Sequence, residues 1–385
     1  DCVVPGPPLR TDWGAAGPPE LWRRQVGTGY SSPIVVSGRL IVLHREADEE
    51  IVLCCDARTG ITVWEYRYPS SFRCEVNYTS GPYSTPASDG ERVYTIGAEG
   101  RMHCLQITTG QVLWEKDLKA QFDAPLRLYG IGHSPLIWGD RLYVNVGGNA
   151  EQTGIVCFDK HSGNIEWSAT DDAASYATPR IARIHDQDCL FVLNHQHAVA
   201  LNPHDGIEWW RIPLSIRIVD AENAVSPLVY QDIVAFASYG NGTVCSRILP
   251  GGMKEELWFS RRALTTQYTP MVCIGGYAYG FHCGDHSYRC IELASGELVW
   301  RDKGKLKRSM VGVTGDAMIL FDENGRLAAV EIDPTQFKLL SMSQPLFGGE
   351  KCFASPAFSE LRIYLRSERE LLCLDLSAAP FSDGR

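Results

Sequence analysis

No apolar run in the 385 residues approaches the roughly 20 needed to cross a bilayer as a helix, which excludes a helical membrane span. Basic charge is in deficit: 36 Lys and Arg stand against 46 Asp and Glu, a formal net charge of −10. With no dense Lys/Arg run, the field repels phosphate backbones and disfavours nucleic acid as a partner. No Gly-rich phosphate loop and no Gly-x-Ser-x-Gly elbow occur, and nothing points to a Ser/His/Asp set. The chain starts at Asp1 rather than Met, so a signal or lipid-anchor segment removed ahead of it is compatible with the sequence.

What is present is repetition. The Ser/Thr-Pro dipeptide recurs at Pro33, Pro86, Pro135, Pro179, Pro227, Pro270 and Pro356, with separations of 53, 49, 44, 48, 43 and 86 residues. The last interval is twice 43, which implies one degenerate unit near Val311-Gly312 with Leu327 to Ile332 as its third strand, and eight units in all. Within the unit at Ser134 to Trp167, Ser134-Pro135 opens a short apolar run and Gly139-Asp140 makes a turn. Leu142 to Val146 and Ile155 to Asp159 alternate as strands, and Ser162-Gly163 is a hairpin signal before a fourth strand ending on Trp167. Gly followed four residues later by Trp repeats at Gly60/Trp64, Gly110/Trp114, Gly163/Trp167, Gly206/Trp210 and Gly296/Trp300, with Trp258 in a looser copy. The Gly suits a tight hairpin, and the Trp supplies a large face to cover the seam between units.

Thirteen cysteines suggest a disulfide framework, but Cys54, Cys104, Cys157, Cys245, Cys290 and Cys373 fall at one repeat position where Ala200 and Ala329 also stand. A position that accepts Cys or Ala asks for a small apolar side chain in a strand, so most of these thiols are expected to be unpaired. Trp22 lies 11 residues before Pro33, as Trp167 lies 12 before Pro179, so residues 20–25 read as the last strand of a unit whose other strands lie in 354–376. The expected fold is therefore all-β: a single eight-bladed β-propeller of four-stranded antiparallel blades over residues 20–376. The N-terminal strand closes it, a lead-in segment covers residues 1–19, and a tail covers 377–385.

The pattern of Ser-Pro, a Cys-x-Asp third strand, Thr/Ser-Gly and Trp resembles the quinoprotein-like propellers, the PQQ-like repeat family, over nearly the whole chain. Asp56 to Trp64 looks like that family's tryptophan-docking motif, and Thr11-Asp12-Trp13 with Gly17 to Trp22 is similar to the start of its uncharacterised bacterial members. In size the chain resembles outer-membrane assembly propeller lipoproteins. The resemblance implies a periplasmic or cell-envelope location. It leaves two functions open, since one propeller fold hosts enzymes and binding scaffolds alike.

In a propeller, the loop entering each innermost strand and the loop leaving the second strand share one face around the central channel. Tyr30, Tyr83, Tyr176 and Phe353 stand three residues before the repeat Pro, and His133 and Tyr268 stand two before it, so an aromatic-rimmed mouth is expected. The second-strand exits add Glu99, Asn149, Tyr239, His282 and Asp285 as candidates; the cluster from His282 to His286 has ligand types but no partner pair to make a metal site. Two long connections, residues 68–82 and 117–133, are further binding candidates because long loops on a rigid frame tend to carry function. The primary expectation is a monomeric, non-catalytic scaffold with no cofactor, presenting this mouth to a protein, peptide or glycan. The alternative is a PQQ-dependent dehydrogenase with the quinone and calcium in the mouth.

Overall fold

In a computed structural model, which describes residues 9–76, 78–215 and 222–377, the chain forms eight antiparallel sheets of four strands each. Seven blades are consecutive in sequence, and the eighth joins Ala357–Ser359, Arg362–Arg366 and Glu370–Asp375 to Glu20–Gln25 from the other end. Trp22 pairs with Cys373 across this junction. The degenerate unit is a complete blade, with Ser309–Thr314 innermost and Leu327–Glu331 third. One short helix, Leu118–Phe122, interrupts the second long connection; Asp117 caps it by accepting from the Ala120 N–H at 2.9 Å. The end of the tail, from residue 378, and residues 1–8 of the lead-in lie outside the described residues.

Burial explains the strand chemistry. The second and third strands of a blade are sandwiched between neighbouring blades, so Arg39–Glu46 and Glu49–Asp56 bury six consecutive residues each. Such strands read as continuous apolar runs. The outermost strand, Thr62–Pro69, has only some residues buried because its outer edge meets water.

The Cys and Trp periodicities are one device. Cys54 pairs with Trp64, Cys104 with Trp114, Cys157 with Trp167, Cys245 with Trp258 and Cys290 with Trp300. A register irregularity follows each of these pairs. The small residue leaves room for the indole, which reaches the next blade: Trp64 Nε1 donates to the Ile107 carbonyl at 2.9 Å and Trp114 to Lys160 at 3.0 Å. The turn glycine belongs to that next blade. Gly110 has φ +73°, and a Cβ there would come within 2.6 Å of the Trp64 ring, so backbone conformation and indole packing both require Gly. These cysteines are free and buried, as the repeat alignment implied.

In the seventh blade Ala329 faces Ser341, with no indole at the docking position. The lead-in segment covers this seam. Trp13 is 4% exposed and packs among Ile319 and Phe321 of the seventh blade and Ile363, Leu365 and Leu374 of the eighth. Ser341 Oγ donates to the Trp13 carbonyl, and Gln344 N–H to Ala15 at 2.7 Å.

Candidate functional site

The repeated Ser/Thr-Pro dipeptide builds the channel mouth. The Thr85 N–H donates to Ser134 Oγ at 2.9 Å, the Ser134 N–H to Thr178 Oγ1 at 3.1 Å and the Ser355 N–H to Ser32 Oγ at 2.8 Å. Each hydroxyl thus ties its blade to the one before, and the Pro then fixes the turn into the innermost strand. Where the ring closes, Arg366 is fully buried and donates to the carbonyls of Ser31 and Leu43, both at 2.6 Å, below Tyr30. Burial lowers its pKa to about 9.

Above this frame the aromatic side chains meet edge to face and tilted. Centroid separations run 5.3 Å for Tyr268 to Phe353, 4.9 Å to Tyr30, 5.6 Å to Tyr83, 6.2 Å to Tyr129 and 5.8 Å to Tyr176. Tyr78 bridges the arc, 5.9 Å from Phe353 and 5.4 Å from Tyr129. These rings, with Gln267, Glu222 and Met310, line a cavity of about 220 Å³. Most of the hydroxyls have partners within the protein. Tyr30 donates to Glu368 at 3.3 Å, Tyr83 to the Thr79 carbonyl at 3.0 Å and Tyr268 to Glu323 at 3.1 Å, while Tyr176 accepts the Tyr129 N–H at 2.9 Å. Burial, reinforced by the carboxylate, raises the Tyr30 pKa well above that of free tyrosine. Glu222 is held by Arg127 Nε at 2.7 Å and meets His195 Nδ1 at 2.9 Å.

Tyr78 and Tyr129 come from the two long connections rather than from the repeats. The first connection is pinned by Arg45, 4% exposed, which donates to the carbonyls of Ser70 and Phe72, each at 2.7 Å. Asn77 of this loop lies outside the described residues. In the second connection the Ile131 N–H donates to Ala98 at 2.9 Å, and Gly130 has φ +72° with the same carbonyl 2.6 Å from where its Cβ would be. Sequence reasoning found the loops but not their part in the ring; an aromatic in each long connection was the available signal.

Of the candidates read from sequence, Tyr30, Tyr83, Tyr176, Tyr268 and Phe353 line this cavity. Six lie elsewhere. His133 is 1% exposed in the packing beneath the mouth, and burial pushes it down to about 4. His282 Nδ1 accepts the Thr265 N–H at 3.0 Å, much as His44 Nδ1 accepts the Gly27 N–H at 3.0 Å in the first blade, so both fix an incoming loop. Asp285 pairs with Arg289 at 2.9 Å; against burial, hydrogen bonds from Ser287 and Arg289 hold it at about 2. Asn149 donates to Asp123 at 3.1 Å, and Tyr239 packs against the core between the sixth and seventh blades. Glu99 accepts from the Ser71 N–H and hydroxyl at 2.8 and 2.7 Å beside a polar recess between the long loops. Among the described residues, no three His, Cys, Asp or Glu side chains are grouped to hold a metal ion.

A PQQ-like family model described as outer membrane protein assembly factor BamB matches residues 48–302. The chain belongs to this family. Family relatives include BamB of Moranella endobia (strain PCIT), 24% identical, and of Yersinia pestis, 21% identical, each over 263 residues. In both cases the match covers 64% of this chain and 63% of the relative, just under two thirds of its length. Among solved structures, BamB from Moraxella catarrhalis superposes with TM-score 0.67 at 14% identity, covering 93% of this chain and 100% of that one. Quinohemoprotein alcohol dehydrogenase from Comamonas testosteroni superposes with TM-score 0.62 at 12% identity, covering 95% of this chain and 78% of that one. At these identities the structural likeness carries the fold and nothing finer. Membership of the BamB family puts the chain in the periplasm or cell envelope, the location the resemblance implied.

Proposed function

We propose that the chain is a non-catalytic scaffold in outer-membrane protein assembly, receiving a segment of a protein partner at the aromatic mouth. The observation that carries this reading is the wall itself: a run of rings at van der Waals contact whose hydroxyls are largely tied to the protein, which offers contact area rather than reacting groups. The assembly role is taken from the family relatives, which are assembly factors by description.

The dehydrogenase alternative requires the mouth to hold a tricarboxylate quinone and a calcium ion. The donor set does not fit. Among the described residues, no Lys, Arg or His lines the cavity to receive the quinone carboxylates, and the one formally charged lining group, Glu222, would repel them. A glycan partner is less well served than a protein because few hydroxyls are left to orient sugar oxygens.

The test is a Tyr78→Ala/Phe353→Ala chain in its host cell. Outer-membrane protein content should fall while the level and melting temperature of the variant chain hold. Normal assembly would reject the mouth as the working site. A thermal shift of the purified chain with quinone and calcium, together with dye-linked alcohol oxidation, would instead restore the dehydrogenase reading.

A further inference from the structure

The chemistry of the cavity wall narrows what can enter, given that the mouth is a binding site as proposed above. Glu222 is the one formally charged side chain among the described lining residues, and it is an acid. Arg127 and His195 hold it in place, and neither lines the cavity. Two wall tyrosines, Tyr30 and Tyr268, donate hydroxyl hydrogen bonds to Glu368 and Glu323. A phenol donating to a carboxylate carries more electron density in its ring, which deepens the negative potential over the ring face. A cation within about 6 Å of such a face is attracted by it, more strongly when water is excluded. The wall already shows the interaction: the Arg308 guanidinium lies over Tyr268, 5.2 Å from its centroid. Tyr78, Tyr83 and Phe353 carry no such native cation among the described contacts. The net charge of −10 favours approach of a basic segment.

We propose that the mouth takes a basic side chain of the partner polypeptide, a lysine ammonium or arginine guanidinium, between Tyr78 and Phe353 and facing Glu222. A cavity of about 220 Å³ suits one such side chain and its apolar stem rather than a folded element.

The experiment uses the full chain and capped pentapeptides whose central residue, flanked by glycines, is Lys, Arg, Leu, Phe or Glu, with affinity read by ligand-detected saturation-transfer NMR. Lys and Arg peptides should bind about five-fold or more tightly than Leu and Phe, and the preference should shrink about five-fold in both Glu222→Gln and Tyr78→Ala. Tyr78 is 46% exposed, so its truncation spares the core. A preference for Leu or Phe overturns the cation while leaving the scaffold reading intact. Binding by none of the peptides overturns both. Undiminished Lys and Arg binding in Tyr78→Ala and Phe353→Ala also overturns the inference, because the cation would then sit elsewhere.

Discussion

Trp13 offers the sharpest test of how this ring is closed. Seven of the eight seams are covered by an indole that donates across to the next blade, from Trp22, Trp64, Trp114, Trp167, Trp210, Trp258 and Trp300. The eighth has Ser341 at that register and Trp13 packed over the seam from a segment outside the repeats. At 4% exposure the Trp13 side chain is almost wholly removed from water. Burying about 150–200 Å² at about 25 cal/mol/Å² contributes about 4–5 kcal/mol, in the range of about 3–5 kcal/mol that large-to-small core truncations of Trp cost. For 385 residues the unfolding entropy near the midpoint is about 0.8 kcal/mol/K, so Trp13→Ala should lower Tm by about 5 °C. The assay is a thermal melt of wild type, Trp13→Ala, Trp64→Ala and Trp13→Ala/Ser341→Trp. Trp13→Ala should match Trp64→Ala, and an indole restored at 341 should recover part of the loss. A Trp13→Ala melt within about 1 °C of wild type, with Trp64→Ala well below it, would refute the reasoning, since the segment would then lie on the seam without closing it.

Arg366→Met removes the guanidinium donors to the Ser31 and Leu43 carbonyls at the ring closure and is expected to cost about 2–4 kcal/mol, partly offset by removal of a buried charge. An unchanged or higher Tm would show that the buried charge costs more than its hydrogen bonds contribute. Acid should destabilise the fold through buried imidazoles. Burial, the largest cause in each case, depresses His44 to about 3 and His103, His133 and His282 to about 4. Since these folded-state values lie below the unfolded value of 6.5, the stability is complete above pH 6.5 and is lost as pH falls toward about 4. Each site adds a slope of up to about 1.4 kcal/mol per pH unit. Glu50 and Asp322, whose pKa values burial raises, act in the opposite sense. Denaturant midpoints between pH 7 and 4.5 should fall more shallowly for His133→Gln than for wild type, and parallel curves would remove His133 from the account.

The repeat chemistry made the fold legible. Strand alternation, the Ser/Thr-Pro turn and the Cys-Trp pair are requirements of one blade and its neighbour, so they recur every 43–53 residues and can be counted along the chain. Glu20–Gln25 could be assigned to the eighth blade because Trp22 keeps that spacing. The candidate site was less legible. The rings before each Pro are periodic and were visible; Tyr78 and Tyr129 are not, and only the folded loops bring them to Phe353 and Tyr83. His282 looked like a possible ligand because sequence displays its donor atoms but not the Thr265 N–H that uses one of them.

The sequence by itself determined the number of blades, their register and the closure between the two ends, because each follows from a short-range pattern that every blade must repeat. Tertiary structure alone decided which aromatics surround the cavity, where their hydroxyls are bound, and that Trp13 covers the one seam lacking an indole. Those outcomes depend on contacts between residues far apart in the chain and outside the repeats, such as Trp13 with Ser341 and Tyr30 with Glu368, where no periodicity marks the partner.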